Sequence, residues 1–429
     1  MQVSVESASG LERRMRVQVP AERIEQEVTL RLEKVAKSAK LQGFRPGKVP
    51  AKVIRQRFGG QVRQEVLQDI LQSSYSEAVA QEQLKPAGGP NIEPESLEEG
   101  QDLAYTAVFE VLPEVEITGL DQIHVTLPEA AVAEGDIDEM IEQLRQQRAE
   151  WVAVERAAGD GDQVLLDFVG TLQGEPFEGG SADDFTVVLG EGRMLEDFEA
   201  GLQGVTAGEE KSFKVRFPAD YHADALAGAT ADFAVKIKEV QEQALPEVDA
   251  ELVKSYGIES GEVADLRADI AKNMARELEA KVKADIKRQV LEGLAEQNPV
   301  PVPAVLIKEE AHSMQHEAME RMGIKDHAAA PPEETFTAAA EQRVRLGLLL
   351  NALIREQQFE VDRDRVTSKV DELVAPYDNP EQIRGIYMQS PQFLGQVENV
   401  VLEEQVVEWI QEQATTVTQN FTFRELMDR

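Results

Sequence analysis

Two groups of residues in this 429-residue chain have types and spacings that could do chemistry. The first is the stretch Gly43-Phe44-Arg45-Pro46-Gly47-Lys48-Val49-Pro50, where two glycines and two prolines bend and stiffen the backbone around one aromatic ring. Phe44 is thereby displayed rather than returned to a core. Arg31, Lys34, Lys37 and Lys40 precede the stretch and Lys52, Arg55, Arg57 and Arg63 follow it, with Glu33 the only acid from Arg31 to Arg63. A chain of formal net charge −36 does not need such segregation for solubility, so the stretch reads as the footprint of a polyanion partner. The bland reading is a solvated face on two helices.

The second group is aromatic. Phe, Trp and Tyr make up only 5% of the chain, yet Phe168, Phe177, Phe185, Phe198, Phe213, Phe217, Tyr221 and Phe233 fall together, beside Met194 and Leu195. Rings on alternating strands commonly form a core. The sharper reading is an apolar cleft walled by them, since a small domain does not need every one of these rings for its interior. Periodicity leaves both readings open.

Other catalytic patterns are missing: there is no G-x-S-x-G, no phosphate loop and no H-E-x-x-H. His312 and His316 stand four apart among Glu309, Glu310 and Glu317, but two ligands without a third read as a solvated helix face. With no cysteine, disulfides and thiolate metal ligands are excluded, and a reducing compartment fits. No metal and no cofactor are expected. The first residues lack a basic start and apolar run, so no secretory leader is expected, and no apolar stretch approaches membrane-spanning length. The expected location is cytoplasmic.

The elements that must position these groups follow from periodicity. Val3 and Val5, then Met15, Val17 and Val19, alternate as two strands, and Ile24, Val28, Leu32 and Val35 predict a helix over 21–40. Pro50 suits the first turn of the next helix, with Val53, Ile54 and Phe58 on its buried side, and a separate helix is expected over about 62–84. Alternation resumes at Leu103 and runs to Val111. Residues 1–113 hold 16 acids against 15 bases, so nearly all of the net charge of −36 lies downstream. Over 114–149 an extended acidic segment leads to a helix that Asp136 could cap, carrying Ile137, Ile141 and Leu144. Strands are expected at 164–172, 185–189, 211–217 and 231–237, interrupted by one short helix around Phe198 and Leu202. Beyond Pro246 helices dominate: Leu266, Ile270, Met274, Leu278, Val282, Ile286, Val290 and Leu294 fall four apart along one long helix. More helices are expected at 304–322, 334–358 and 391–413, and 415–423 reads as extended.

The stretch from Gly43 to Pro50 resembles the ribosome-docking signature of the bacterial trigger factor family, and the similarity runs through essentially the whole chain. The middle region resembles an FKBP-type prolyl isomerase in Val164-Leu165-Leu166-Asp167-Phe168-Val169-Gly170, Pro176-Phe177-Glu178, Leu189-Gly190, Met194-Leu195-Glu196-Asp197-Phe198, Phe217-Pro218 and Tyr221-His222. The resemblance implies that Phe168, Phe177, Phe185, Met194, Leu195, Phe198, Tyr221 and Phe233 line a proline pocket. Phe198 stands where many relatives have tryptophan. Glu178 falls where an aspartate is common and is assigned polar contact with the twisted amide. Gly43, Phe44, Arg45, Pro46, Gly47, Lys48 and Pro50 are implied to dock on the large ribosomal subunit, at a ribosomal protein and rRNA near the tunnel exit. Pro46 stands where the family often has lysine.

What the resemblance implies is an α+β multidomain chain. It has an N-terminal α+β docking domain over 1–113, a linker or arm over 114–149, an FKBP-like antiparallel sheet domain with a short helix over 150–245, and an all-α C-terminal domain with long helical arms over 246–429. The implied function is an ATP-independent, ribosome-associated chaperone that holds nascent and unfolded polypeptides and isomerises X-Pro bonds, with a homodimer possible when free. Two rivals remain: a free-standing isomerase whose helices dimerise, and a holdase whose isomerase domain is vestigial.

Overall fold

The computed structural model describes residues 1–7, 9–38, 49–96, 98, 100–221, 223, 226–326, 329–375, 377 and 379–429. Its backbone divides into two units, residues 1–127 with 283–419, and residues 128–282 with 420–429. The first begins with β1 (Gln2–Ser7), β2 (Glu12–Val19), α1 (Ala21–Ser38), α2 (Ala51–Gln81), β3 (Asn91–Ser96) and β4 (Leu103–Glu110). The strands form an antiparallel sheet in the order β1-β2-β4-β3. Met15, Val17 and Val19 alternate inward from β2 and are fully buried against Ile24 and Val28 of α1 and Ile54, Val62, Val66 and Ile70 of α2. The two helices expected after Pro50 are one: α2 runs unbroken through Gly59-Gly60. Glycine weakens a helix by about 1 kcal/mol but keeps its N–H and C=O in the ladder, and the stripe Val62, Val66, Ile70, Ser74 and Ala78 is buried along its whole length.

Next come β5 (His124–Glu129), α3 (Glu134–Gln147), β6 (Glu150–Ala153), β7 (Gln163–Leu172), β8 (Glu175–Val188), α4 (Glu196–Leu202), β9 (Glu210–Arg216) and β10 (Thr230–Ala244). Asp136 does not sit at the N-cap of α3. It occupies the third helical position and reaches back 2.8 Å to the backbone N–H of Ala133, which satisfies an orphan donor from inside the helix. The last five strands form one antiparallel sheet in the order β6-β10-β7-β8, with β9 also paired to β10. The strand expected at 185–189 is the end of a 14-residue β8, and β10 extends to Ala244.

The remainder is mostly helical: α5 (Ala250–Ser255), α6 (Val263–Gln297), α7 (Ala304–Met322), α8 (Thr337–Gln357), α9 (Arg363–Val374), α10 (Pro380–Gln389), α11 (Pro391–Gln413), β11 (Thr415–Asn420) and α12 (Phe423–Met427). The four-residue stripe of α6 serves two cores. Leu266, Ile270 and Met274 pack with Ile137 and Ile141 of α3, whereas Val290 and Leu294 pack with Ile123, Val125, Leu349 and Ile410. Helices α9, α10 and α12 and strand β3 were not legible in the sequence. α9 and α11 bury Val366, Val370, Val374, Val397 and Val401 together, so that tertiary packing supplies what β-branched valine lacks in helix propensity.

Candidate functional site

The aromatic set is organised by irregularities in β8. Along β7, Val164, Leu166, Phe168 and Gly170 face the interior. Opposite them β8 bulges twice. Leu166 pairs with Phe185 and Phe168 with Ala182, so Asp183 and Asp184 stand against the single residue Asp167. Val169 pairs with Ser181 and Thr171 with Pro176, so Phe177, Glu178, Gly179 and Gly180 stand against Gly170 alone. Each bulge re-aims a ring. A β-carbon on Gly170 would meet Cε1 of Phe177 at 3.0 Å and Cε1 of Phe233 at 2.9 Å, and one on Gly180 would meet Phe177 at 2.9 Å. Gly179, at φ +77°, turns the wider bulge. The Phe177 ring therefore lies on bare backbone and points back over the sheet.

Eight rings form one network. Phe168 stands edge-on to Phe185 at 5.3 Å and to Phe198 at 5.7 Å, and lies 5.9 Å from Phe233. Phe198 also meets Phe233 at 5.3 Å and Phe213 at 5.6 Å. Phe177 contacts Phe217 and Phe233, both at 6.2 Å, and Phe217 meets Tyr221 at 4.8 Å. Burial is graded through the network. Phe198 is 1% exposed and Phe168, Phe217 and Phe233 are buried, while Phe177, Phe185, Met194, Leu195, Phe213 and Tyr221 are half-buried. The core and cleft readings thus both describe part of it: a buried floor under a half-open margin.

The floor is held by carboxylates that the sequence did not single out. In α4, Asp197 accepts the backbone N–H of Arg216 at 3.0 Å, tying the helix that carries Phe198 to β9. Glu199 accepts the N–H groups of Gly190 and Met194, each at 3.2 Å, which fixes the loop presenting Met194. Both acids adjoin Phe198 and would pass for the solvated side of a short helix; the sign that could have found them is that they follow a glycine-rich turn full of unpaired donors. Glu178 is exposed and stands outside the packed set, unlike the eight apolar and aromatic residues assigned with it.

Strong charge pairs lie away from the rings. Lys238 bridges Asp167 at 2.5 Å and Asp184 at 2.6 Å on the opposite face of the sheet, and this holds the Asp167 carboxyl below, and the Lys238 ammonium above, their ordinary ranges. Asp162, nearly buried, is gripped by Arg156 at 2.5 and 2.9 Å and by the N–H of Gly159 at 2.8 Å, so its carboxyl also falls below the usual range, chiefly through the guanidinium. An apolar shelf without charge suits a neutral, planar group such as a proline ring and its amide.

Residues Gly43, Phe44, Arg45, Pro46, Gly47 and Lys48, like Lys40 and His222, lie outside the described residues. Pro50 precedes α2, and its carbonyl accepts the N–H groups of Val53 and Ile54 at 2.9 and 3.2 Å. Some of the surrounding cations are engaged. Glu25 pairs with Arg55 at 2.7 Å and Arg63 at 3.5 Å, and Asp69 with Arg31 at 3.1 Å. Lys34, Lys37, Lys52 and Arg57 are exposed and pair with no acid among the described residues.

Exposed apolar side chains also occur on α9, α10 and α11 and on the segment between α9 and α10. Leu373, Tyr377, Ile386, Met388, Phe393 and Val400 are all more than a third exposed, and the Tyr387 and Phe393 rings stack at 4.9 Å. Of the acids near His316, Glu310 and Glu317 are taken up by Arg343 at 3.0 Å and 3.7 Å, and Glu320 lies 3.6 Å from His316 itself. Among the described residues no three metal-ligating side chains converge, and no helix is long and apolar enough to cross a membrane.

Three family models match. The bacterial trigger factor protein model covers residues 1–144, the bacterial trigger factor protein C-terminus model residues 262–412, and the FKBP-type peptidyl-prolyl cis-trans isomerase model residues 154–238. The chain is 47% identical to the trigger factor of Thioalkalivibrio sulfidiphilus over 100% of its length and 98% of the relative's. It is 46% identical to that of Azotobacter vinelandii (99% and 98% covered) and 44% to that of Shewanella halifaxensis (100% and 99% covered). An uncharged aromatic shelf inside a full-length match of this kind leaves one assignment: the chain belongs to the bacterial trigger factor family and is a ribosome-associated chaperone with FKBP-type prolyl isomerase activity.

Proposed function

We propose that isomerisation takes place over Phe198, with Phe168 and Phe233 completing the floor and Phe177, Phe185, Met194, Leu195 and Tyr221 at the margin. An X-Pro bond turns through a state without amide resonance, against a barrier of roughly 20 kcal/mol. The planar amide is the more charge-separated form and gains more from water. An apolar shelf that accepts the proline ring removes that advantage, and binding the twisted geometry more tightly than the planar one lowers the barrier. The Tyr221 hydroxyl serves as donor to a neighbouring carbonyl, and Glu178, exposed at the edge, makes polar contact with the chain that enters. Neither nucleophile nor metal is required by this chemistry. The observation that carries this reading is the graded burial from Phe198 outward, which a simple core does not need. The test is the isomerisation rate of a short X-Pro peptide on the full chain: Phe198→Leu should lower it sharply, and an unchanged rate would remove the assignment.

Docking is proposed at Gly43 to Pro50, on a ribosomal protein near the tunnel exit, with Lys34, Lys37, Lys52 and Arg57 reaching rRNA phosphates. The pairs made by Arg31 and Arg55 are exposed and worth about 0–1 kcal/mol each, so phosphate can displace the acids. Residues 1–113 then serve docking, 114–149 form the arm, 150–245 isomerise, and 246–429 hold clients without ATP. Scattered exposed side chains such as Ile386 and Phe393 suit many unfolded sequences bound weakly. Off the ribosome, the same uncovered residues favour a homodimer in the cytoplasm. Replacing Phe44, Arg45 and Pro46 together with alanine should abolish cosedimentation with ribosomes and leave peptide isomerisation intact.

A further inference from the structure

The outer face of the isomerase sheet carries a side-chain cluster that the pocket does not use. Lys238 is the extra residue of a bulge in β10: Ile237 pairs with Leu166 and Glu239 with the adjacent Leu165, leaving Lys238 between them. On the other side of β7, β8 carries its own bulge at Asp183 and Asp184, opposite Asp167. Lys238 Nζ reaches across β7 to Asp167 Oδ1 at 2.5 Å and to Asp184 Oδ1 at 2.6 Å. The same Asp167 oxygen accepts the backbone N–H of Asp184 at 2.8 Å. Asp184 has φ +54°, which a residue other than glycine adopts only when its surroundings hold it there.

That bulge decides where Phe185 points. Side chains alternate along a strand, so two residues three apart face opposite sides of a regular one. Ala182 and Phe185 are three apart, yet both pack into the same core, because the extra residue between them reverses the alternation. The ring that meets Phe168 at 5.3 Å is thus aimed from the other face of the sheet.

We propose that Lys238, Asp167 and Asp184 are positioning residues for prolyl isomerisation: they lock the β8 bulge, and through it fix the Phe185 ring at the margin of the pocket. This rests on the reading of Phe185 as a pocket residue. The cluster stitches three strands from the side that substrate does not occupy, so it holds the ring without competing for the proline.

The test uses the full chain and a short X-Pro peptide. Lys238→Met should lower kcat/KM about three- to tenfold, mostly through KM, with ribosome cosedimentation unchanged. Lys238→Arg should recover most of the loss, and so should adding Asp184→Gly to Lys238→Met, since glycine holds the left-handed conformation unaided. In the Phe185→Ala background Lys238→Met should have no further effect. Additive losses from Lys238→Met and Phe185→Ala, or a normal rate for Lys238→Met where Phe185→Ala is impaired, would overturn the proposal. A normal rate for Phe185→Ala alone would instead overturn the assignment of Phe185 to the pocket, and the role of the cluster with it.

Discussion

The ring of Phe213 lies directly against the backbone of Gly201, where a β-carbon would collide with its Cγ, Cδ2 and Cε2 atoms. Gly201 belongs to α4 and Phe213 to β9, and Phe213 in turn stands 5.6 Å from Phe198. The contact sets how closely the helix bearing Phe198 approaches the sheet, and it ties a glycine with no chemistry of its own to the proposed proline-binding surface.

Gly201→Ala should therefore push Phe213 toward Phe198, at a cost of about 1–3 kcal/mol of the overpacking kind, and lower kcat/KM for X-Pro peptides. Phe213→Leu in the same chain should restore part of both. Peptide isomerisation and thermal unfolding of the single and double variants measure this.

Phe198→Leu removes the ring that contacts Phe168, Phe213 and Phe233 while keeping an apolar side chain at the floor. The expected loss in kcat/KM is about ten- to a hundredfold, with ribosome cosedimentation unaffected. Equal losses in both assays would show general unfolding instead.

Asp162 gives a pH dependence of definite sign. Its carboxyl is depressed first by Arg156 and then by the Gly159 N–H, so its contribution is complete above the unfolded value of about 3.9 and is lost as pH falls through the lower folded value. Asp162→Asn should cost about 1–2 kcal/mol near neutrality, the lower range because Arg156 is half exposed, and should flatten the stability profile below about pH 4. Amide exchange of Gly161 and Leu189, which bond around this residue, reports the change.

Ribosome binding should weaken steeply with salt. Four phosphate contacts, from Lys34, Lys37, Lys52 and Arg57, give about a 50- to 150-fold loss of affinity for a fourfold rise in salt. Glu25→Gln, which removes the negative charge that Arg55 and Arg63 share, should tighten binding at low salt by making the surface more positive.

Changing Ile386 and Phe393 together to aspartate should reduce the suppression of client aggregation several-fold while leaving peptide isomerisation unchanged. Ile386 is exposed and Phe393 gives up its stack on Tyr387, so stability should fall by about 1 kcal/mol.

Periodicity made much of this architecture legible. The stripe from Leu266 to Leu294, the alternation at Met15, Val17 and Val19, and the extent of α7 follow from side-chain spacing alone. What escaped depends on partners distant in sequence. The single helix α2 reads as two in the sequence because its unity rests on a stripe buried along its whole length, and α9 is held as a helix by valines that pack against α11. The rings of the proposed site are recognisable by type, but which way they point is not. Phe177 and Phe185 are aimed by bulges, and register exists only between two strands. Asp197 and Glu199 escaped because acids beside an apolar residue on a short helix resemble a wetted surface.

The cluster that runs from Met15 to Val111 and the one from Ala158 to Val240 are each built from one continuous stretch, whereas the cluster around Ile123 and Val125 waits for Val290, Leu349 and Ile410. During its own synthesis the protein can therefore complete the part bearing Gly43 to Pro50 while most of its helices are still untranslated. On the division of labour proposed above, a newly made copy acquires its means of holding a ribosome before its means of holding a client, and the last piece to mature is the one that serves other chains.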